Sequence, residues 1–299
     1  MEFQVLPVRI QFEAPEEFRL PHGKETNIFR GALGLALRQV CCTDVCCGEV
    51  CPGARACANA AECAYAMLFE PRWVQGPSGY RDAPRPFVLR CAAPLEVRLN
   101  LFDVRLPLEK LEAAFRAMAN AGFGPGRAKV GLRSFEPQPV LRFPLVGQAL
   151  SPTSGQSRAL TIQFVTPTEL KSAGTVRPEP DFALLIERLA ERVWALGSFY
   201  QQWPRWDYGE LLEEARLVHL VNWEWRYEHL QRRSSRTGQT HSLGGFIGIA
   251  TYEGPIGVFL PLLEIGRWTG VGRQTVWGKG EIHVETATPV SSGKLNAVR

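Results

Sequence analysis

The same order of secondary-structure signals occurs twice along this chain, and the repeat constrains the fold more than any other feature. Strict alternation of apolar and polar residues indicates half-buried strands, and apolar residues at helical spacing indicate amphipathic helices. In the first half these signals run strand, helix, strand, strand, helix and strand, over residues 3–12, 28–40, 87–91, 95–102, 107–118 and 133–145. The second half follows the same order, over residues 160–164, 182–196, 221–227, 246–252, 259–268 and 282–284.

The repeated order predicts an α+β fold with two tandem ferredoxin-like (βαββαβ) domains. We place them at residues 1–148 and 157–290, with a cysteine-rich insertion at about 41–65 in the first domain. The length of 299 residues agrees, since one domain takes ~100–200 residues. Ferredoxin-like domains serve many functions, so the repeat alone predicts no activity.

Composition excludes several classes of protein. Hydrophobic residues make up 45% and charged residues 21% of the chain, as in ordinary globular proteins. A disordered tail, a collagen-like fibre and a heptad rod are therefore excluded. No stretch reaches ~18 uninterrupted apolar residues, so no membrane-spanning helix is predicted. Residues 1–15 lack a basic start followed by an apolar run, so we expect no secretory signal and a cytoplasmic protein.

The charge is unevenly distributed. The 34 basic and 30 acidic residues leave a net charge of +4, too small to indicate a nucleic-acid-binding protein. Between His229 and Tyr252, however, there is no acidic residue, and this segment holds Arg232, Arg233 and Arg236. Basic residues also dominate residues 126–168. The near-neutral total therefore hides basic regions that suit a polyanion.

Both halves carry a basic, glycine-rich loop between the second helix and the last strand. These loops are Gly122–Lys129 and Gly270–Gly280. Glycine lets a backbone approach a polyanion closely and expose N–H groups toward it. The second loop is not a dinucleotide-binding fingerprint, because that motif follows a strand and opens a helix, whereas this loop follows a helix. The P-loop pattern does not occur in the sequence.

Several motifs resemble the CRISPR precursor-RNA-processing endoribonucleases of the repeat-associated RNA-binding (RAMP) superfamily. In the second half they are Phe164–Lys171, Ser235-Arg236, Gly244–Gly248, Tyr252–Gly254, Leu262–Gly266 and Thr269–Gly280. In the first half they are Phe29–Gly34 and the cysteine-rich segment that ends in Cys63–Tyr65. The resemblance spans nearly the whole chain and is strongest over residues 160–285. The tandem ferredoxin-like domains of that family agree with the repeat described above.

The resemblance implies cleavage of precursor crRNA within its repeats, without a metal cofactor. The 2′-OH of the RNA would attack the adjacent phosphate and leave a 2′,3′-cyclic phosphate and a 5′-OH. The enzyme would then stay bound to the crRNA repeat hairpin, with other subunits of a CRISPR effector complex as partners and no membrane association. The same superfamily includes non-catalytic crRNA-binding subunits, so that alternative remains open.

Such a cut needs a base, an acid and a cation that stabilises the phosphorane. Histidine suits either proton role because its ordinary pKa of ~6.5 lies near neutral pH. His22 precedes the first helix, where many family members carry a histidine, and His241 lies in the basic loop. Lys24 is the candidate for phosphate stabilisation, although a solvated loop lysine is an equal alternative. His219, His229 and His283 suit structural or solvent-facing roles.

Candidate RNA contacts are basic residues and loop glycines. They are Arg30, Arg127, Lys129, Arg232, Arg233, Arg236, Gly270, Gly272, Arg273, Gly278, Lys279 and Gly280. The planar guanidinium group binds phosphate through two hydrogen bonds and stacks on bases. Solvated arginines in a hairpin loop are the alternative. We interpret Trp223, Trp225 and Tyr227, which share one strand face, as core residues.

Seven of the eight cysteines lie within Cys41–Cys63, and the eighth is Cys91. A cluster in a large chain without a secretory signal indicates a local site rather than a disulfide framework. A structural zinc ion would need four converging thiolates, for which we select Cys47, Cys51, Cys57 and Cys63. An iron–sulfur cluster and a set of reduced thiols are the alternatives. In each case the cysteines would act in folding and not in cleavage.

Overall fold

The computed structural model describes residues 1–42, 53–54, 56–71, 82–93, 95–145, 158–177, 179–233 and 238–286. These residues form two α/β units along the chain, each built on an antiparallel sheet. Within these ranges no helix combines the length and the apolar character needed to cross a membrane.

The first unit has the strand order of a ferredoxin-like fold. Its four main strands are β1 (Glu2–Glu13), β2 (Phe87–Ala93), β3 (Glu96–Leu101) and β4 (Gly131–Pro137). They pair in the order β2-β3-β1-β4, and a short strand β5 (Leu141–Pro144) pairs with the start of β1. The helices are α1 (Glu25–Cys41), α2 (Ala64–Phe69) and α3 (Leu108–Ala121).

The second unit repeats this order. Its sheet consists of β6 (Arg158–Thr168), β9 (His219–Glu228), β12 (Gly245–Gly254) and β13 (Ile282–Thr286), in the order β13-β6-β12-β9. Its helices are α4 (Phe182–Tyr200), α5 (Gly209–Ala215) and α6 (Leu260–Thr269). Two small hairpins interrupt the repeat: β7 (Leu170–Ser172) with β8 (Thr175–Arg177), and β10 (Gln231–Arg233) with β11 (Thr240–Ser242).

The strand orders confirm the predicted double ferredoxin-like fold. Local periodicity explains this success, since Val8, Ile10 and Phe12 of β1 are buried as their alternation predicts. The small hairpins were not predicted because three-residue strands carry too little periodicity. The boundaries 1–148 and 157–290 stay predictions, because residues 146–157 and 287–290 lie outside the described residues. Most of the cysteine-rich insertion also lies outside them.

The two units pack against each other through apolar residues and backbone hydrogen bonds. Phe3 and Phe102 from the first unit belong to the same core cluster as Phe182 from the second. The Gln201 side chain donates to the backbone carbonyls of Gln4 and Phe102, at 2.8 and 2.9 Å. Because these bonds are at least part-buried, they fix the position of one unit on the other.

Candidate functional site

The loop before α1 carries the first histidine candidate and lies against the second small hairpin. Gly23 has a φ of 72°, and a Cβ at this position would lie 2.8 Å from Cδ1 of Leu230. Leu230 immediately precedes β10. The loop with His22 and Lys24 therefore lies at the base of the β10–β11 hairpin, although the two segments are over 200 residues apart in sequence.

The hairpin brings two predicted residues together on Trp277. Arg232 and His241 are paired across β10 and β11. The guanidinium carbon of Arg232 lies 4.7 Å from the centre of the Trp277 ring, and the His241 ring lies 5.4 Å from it. Nη1 of Arg232 also donates to Oδ1 of Asn27, at 2.7 Å. The hairpin is thus bonded to the first turn of α1 and stacked on the C-terminal glycine-rich loop.

Arg30 completes a cationic cluster around the same tryptophan. Its guanidinium lies 5.9 Å from the Trp277 ring and 5.2 Å from the Phe69 ring. Burial, together with the charges of Arg85 and Arg232, lowers the pKa of Arg30 to about 9. Arg30 therefore stays charged at neutral pH. Its stacked position suits a role in holding Trp277 more directly than the RNA contact expected from the sequence.

Among the described residues, no carboxylate lies within ion-pair distance of Arg30 or Arg232. Nε of each guanidinium is buried and has no hydrogen-bond partner in this part of the chain. Clustered positive charge that is not neutralised attracts an anion. The cluster therefore suits contact with a phosphate backbone.

The C-terminal glycine-rich loop packs on α1 and on its own domain. Gly278 has a φ of 93°, and a Cβ there would lie 2.6 Å from Cβ of Thr26. The N–H groups of Val271, Arg273 and Gly280 donate to protein carbonyls, at 2.9, 3.2 and 3.1 Å. This differs from the expectation that the loop exposes its N–H groups to RNA. Here the glycines, which also include Gly270 and Gly272, permit close approach between protein segments.

Lys279 also differs from its predicted role as a phosphate contact. Its side chain is buried, and Nζ donates to Oε2 of Glu169 and to the backbone carbonyl of Gly244. Burial lowers the pKa of Lys279, and the bond to Glu169 opposes that shift. Sequence reasoning missed this pairing because Glu169 lies 110 residues away.

A cleft of about 440 Å³ lies next to the cationic cluster. Its lining combines the loop before α1 with the second sheet and the glycine-rich loop, and includes His22, Thr26, Thr166, Arg226, Glu228 and Trp277. The His22 side chain is 98% exposed, and its Nδ1 lies 3.8 Å from Oε1 of Glu25. An RNA strand bound in the cleft would therefore reach His22 directly.

The first glycine-rich loop lies near the rim of the cleft. Arg127 and Lys129 are exposed, and Arg127 adopts a left-handed φ of 49°. A Cβ at Gly124 would lie 2.8 Å from Cδ2 of Leu20, which lines the cleft. Arg127 and Lys129 thus keep the accessibility that a backbone contact requires.

Other candidates lie apart from this group or outside the described residues. Arg273 is half exposed on the glycine-rich loop, and its Nη1 lies 3.9 Å from Oε2 of Glu169. The backbone of Arg233 belongs to β10, but its side chain and the whole of Arg236 lie outside the description. Nε2 of His283 is exposed and lies 3.9 Å from Oε1 of Glu281.

The aromatic stripe on β9 is only partly core. Trp223 packs edge-on against Phe164 and Phe246, with ring centres 5.8 and 5.3 Å apart. Trp225 and Tyr227, in contrast, are 45% and 39% exposed. The core interpretation was wrong for these two residues, because β9 is an edge strand and its face extends beyond the helices. Alternation predicts the face of a strand but not its position in the sheet.

Two of the described cysteines, Cys41 and Cys63, form a hydrogen-bonded pair. The Cys41 thiol is hydrogen-bonded to Cys63, which lowers the pKa of Cys63 to about 6. Cys57 and Cys63 pack against a small cluster of alanines. Cys47 and Cys51 lie outside the described residues. Within the described ranges, no group of three or more potential ligands converges.

Family models match both units of the chain. Residues 162–282 match the family model of the CRISPR-associated endoribonuclease Cas6, and residues 3–142 match the AF_1859_N family, described as an N-terminal domain. The match assigns residues 162–282 to the Cas6 endoribonuclease family.

Solved structures share the fold across the whole chain. A Cas6 in a substrate-mimic complex is 20% identical, covers 95% of this chain and 100% of its own, and has a TM-score of 0.54. A Cas6 product complex is 18% identical and has a TM-score of 0.56, and the match covers 94% of this chain and 100% of that one. Cas6 from Thermus thermophilus is 18% identical and has a TM-score of 0.53, and the match covers 95% of this chain and 99% of that one. No curated protein sequence matches the chain significantly.

Proposed function

We propose that this protein cleaves precursor crRNA within its repeats. The observation that carries the proposal is the convergence at Trp277 and its cleft. The loop with His22 and Lys24, the hairpin with Arg232 and His241, and the glycine-rich loop come from three distant parts of the chain. Their arrangement offers two groups for proton transfer beside uncompensated positive charge, which is what cleavage by a 2′-OH requires.

The proposed reaction needs no cofactor. A base removes the proton of the 2′-OH, and the 2′ oxygen forms a bond to the adjacent phosphorus. The bond from phosphorus to the 5′ oxygen breaks, and an acid protonates that oxygen. The products are a 2′,3′-cyclic phosphate and a 5′-OH. His22 and His241 are the candidate base and acid, and the Lys24 ammonium stabilises the charge of the phosphorane.

Exposure supports a direct role for His22. At 98% exposure, its imidazole is accessible to an RNA strand in the cleft. His241 is held against Trp277 and beside Arg232, which fixes the plane of its ring. The two histidines therefore combine an accessible group with an oriented one.

The test is a cleavage assay in EDTA with a labelled repeat RNA. The wild type should cut once per repeat and leave a cyclic phosphate, and a 2′-deoxy substitution at the cut site should block the reaction. His22→Ala or His241→Ala should abolish cleavage while RNA binding persists. His283→Ala is the matched control, since this exposed histidine lies on β13, and it should leave the rate unchanged. Normal cleavage by both test variants would refute histidine catalysis.

A second candidate function is a non-catalytic crRNA-binding subunit. One observation favours it: within the described chain, Glu25 is the only carboxylate at ion-pair distance from His22, and the 3.8 Å separation exceeds a hydrogen bond. His22 therefore lacks the oriented partner that many catalytic histidines have. Tight binding of the repeat with no product in the same assay would support this candidate, and a cyclic phosphate product would exclude it.

We further propose that the protein retains its product. Arg127, Lys129 and Arg232 supply charge around the cleft, and contacts to phosphates make affinity depend on salt. Other subunits of an effector complex would then bind protein and crRNA together. Retention is tested by single- and multiple-turnover kinetics, since a retained product limits the enzyme to one turnover.

The structural zinc ion remains a separate proposal. Of the four cysteines selected from the sequence, Cys57 and Cys63 lie among the described residues, where both pack against the same small alanine cluster. A tetrahedral site needs four ligands. The remaining ligands would come from cysteines outside the description, such as Cys47 and Cys51. Metal analysis of the purified protein tests this, and one zinc ion per chain that survives dialysis would support it.

A further inference from the structure

A second cavity, of about 460 Å³, lies on the other side of the Lys279–Glu169 ion pair from the His22 cleft. Glu169 lines this second cavity and Lys279 lines the cleft, so the pair forms part of the wall between them. The basic residues around the cavity are Lys171 from β7, Arg188 and Arg192 from α4, and Arg273 from the glycine-rich loop. We call this cavity the α4 pocket.

Arg192 contributes a guanidinium to the α4 pocket that is only partly hydrogen-bonded. Its Nε donates to the backbone carbonyl of Thr269, at 2.9 Å. Its Nη2 is buried and finds no hydrogen-bond partner among the described residues. Burial lowers the pKa of Arg192 to about 9, and the nearby charge of Arg90 acts in the same direction. A buried Nη2 without an acceptor is costly, so its retention calls for a ligand or another partner.

The two acidic residues of the pocket are already engaged. Glu169 accepts from Lys279, and Oε2 of Glu191 accepts from Nη1 of Arg188, at 2.7 Å. Nη1 of Arg273 lies 3.9 Å from Oε2 of Glu169, which is too far for a hydrogen bond. The Lys171 ammonium has no ion-pair partner in the part of the chain that the structure describes. Lys171, Arg192 and Arg273 therefore leave positive charge around the cavity.

These features select an anion with several acceptor oxygens. A guanidinium donates two parallel hydrogen bonds to a phosphate, whereas an ammonium adds a mobile point charge. An apolar ligand would leave Arg192 unsatisfied, and a cation would be repelled. The chemistry of the pocket is therefore that of a phosphate site.

We propose that the α4 pocket binds a phosphate of the RNA backbone, at a point away from the bond that is cut. This inference rests on the proposed function, and it assigns Lys171, Arg192 and Arg273 to RNA binding rather than to catalysis. The RNA would contact both sides of the Lys279–Glu169 pair, with the scissile phosphate on the side of His22. The α4 pocket would thereby fix the register of the repeat on the protein.

The first experiment measures repeat-RNA affinity against salt concentration for Lys171→Ala and Arg273→Ala. Each variant should lower affinity by about three- to tenfold and reduce the salt slope by about one unit. Lys110→Ala is the matched control, because this exposed lysine lies on α3, and it should leave affinity and slope unchanged. The Lys110→Ala variant should also cleave the repeat RNA at the wild-type rate.

Arg192 is tested by Arg192→Lys, which keeps the charge but loses the planar pair of donors. The affinity of this variant for repeat RNA should fall as in the alanine variants. Its circular dichroism spectrum and melting temperature show whether it folds. If Arg192→Lys fails to fold, the Lys171 and Arg273 variants decide the outcome. Unchanged RNA affinity in both the Lys171→Ala and Arg273→Ala variants would overturn the proposed phosphate site. Cleavage of the repeat RNA by the wild-type protein would still support the proposed function.

A separate arm distinguishes RNA phosphate from a free anion. Melting temperatures are compared in inorganic phosphate and in chloride at equal ionic strength. A rise in phosphate that disappears in the Lys171→Ala and Arg273→Ala variants, together with weaker RNA binding, supports the RNA site. The same rise in melting temperature with unchanged RNA affinity would overturn the RNA site and indicate a site for free phosphate.

Discussion

Nζ of Lys279 donates to Oε2 of Glu169 and to the backbone carbonyl of Gly244, and all three groups lie away from solvent. Through these two bonds one ammonium joins the end of β6, the start of β12 and the glycine-rich loop. The loop also packs on Thr26 of α1. The ion pair therefore acts on the site indirectly, by fixing the segment that carries Trp277.

Removing one partner of this pair should destabilise the protein more than removing both. Glu169→Gln or Lys279→Met leaves a buried polar or charged group unpaired, which typically costs about 3–5 kcal/mol. The double variant Glu169→Leu/Lys279→Met leaves no uncompensated charge and should lose less than the sum of the single changes. Urea unfolding measures all three.

The control for that series is Arg116→Ala, which removes an exposed ion pair with Glu112. An exposed pair contributes about 0–1 kcal/mol, so this variant should unfold close to the wild type. Additive losses in the double variant would contradict the view that Lys279 and Glu169 compensate each other.

Gly278→Ala should weaken the contact between the glycine-rich loop and α1. A side chain at φ 93° is strained, and its Cβ would lie 2.6 Å from Cβ of Thr26. We expect a loss of about 1–3 kcal/mol in the free energy of unfolding and a lower cleavage rate. Gly31→Ala is the matched control, because a Cβ there meets nothing within 4 Å and the position is helical. It should stabilise α1 by about 0.5–1 kcal/mol and leave the rate unchanged.

Arg232→Lys should reduce RNA binding although it keeps the charge. The change removes the bond to Asn27 and the planar contact with Trp277. The two contacts contribute about 1–2 kcal/mol to holding the hairpin in place. Lysine also lacks the paired donors that bind a phosphate, so RNA affinity should fall by roughly tenfold. Fluorescence anisotropy with repeat RNA measures the effect. Arg267→Lys, at an exposed pair with Glu264, should bind as the wild type does. Equal affinities of the two variants would argue against the stacked arrangement.

After treatment with a chelator that removes any bound metal, Cys63 should react with iodoacetamide at lower pH than an ordinary thiol. The bond from Cys41 lowers the pKa of Cys63 to about 6, so its thiolate predominates at pH 7. Cys41→Ala removes that bond, raises the pKa and should slow alkylation at pH 7. Because the folded state favours the thiolate, this interaction stabilises the fold above the ordinary thiol pKa and is lost as pH falls through about 6.

Peptide mass spectrometry follows each cysteine separately. Cys91 is the internal control, because burial raises its pKa to about 12 and it should stay unmodified at pH 7. Equal rates for Cys63 and Cys91 would show that the Cys41–Cys63 bond is absent in solution.

The order of strands and helices was predictable from the sequence because it depends on local periodicity. The partners of the site residues were not, because each pairing joins distant segments. Lys279 follows a glycine in a polar loop and has the sequence context of an exposed lysine, yet Glu169 makes it part of the interior. Trp225 alternates with polar residues as a core residue would, but the edge position of β9 exposes it. Such facts depend on the tertiary arrangement, to which a single sequence gives no access.

The contacts of Arg232 with Asn27 and of Gly278 with Thr26 each join one domain to the other. Neither domain alone therefore contains a complete site. If the chain were divided in the linker between β5 and β6 and the two fragments were produced separately, each would be inert. Activity would return only on mixing, with a dependence on fragment concentration that reports the strength of their association. The restored activity would therefore measure how tightly the two domains associate.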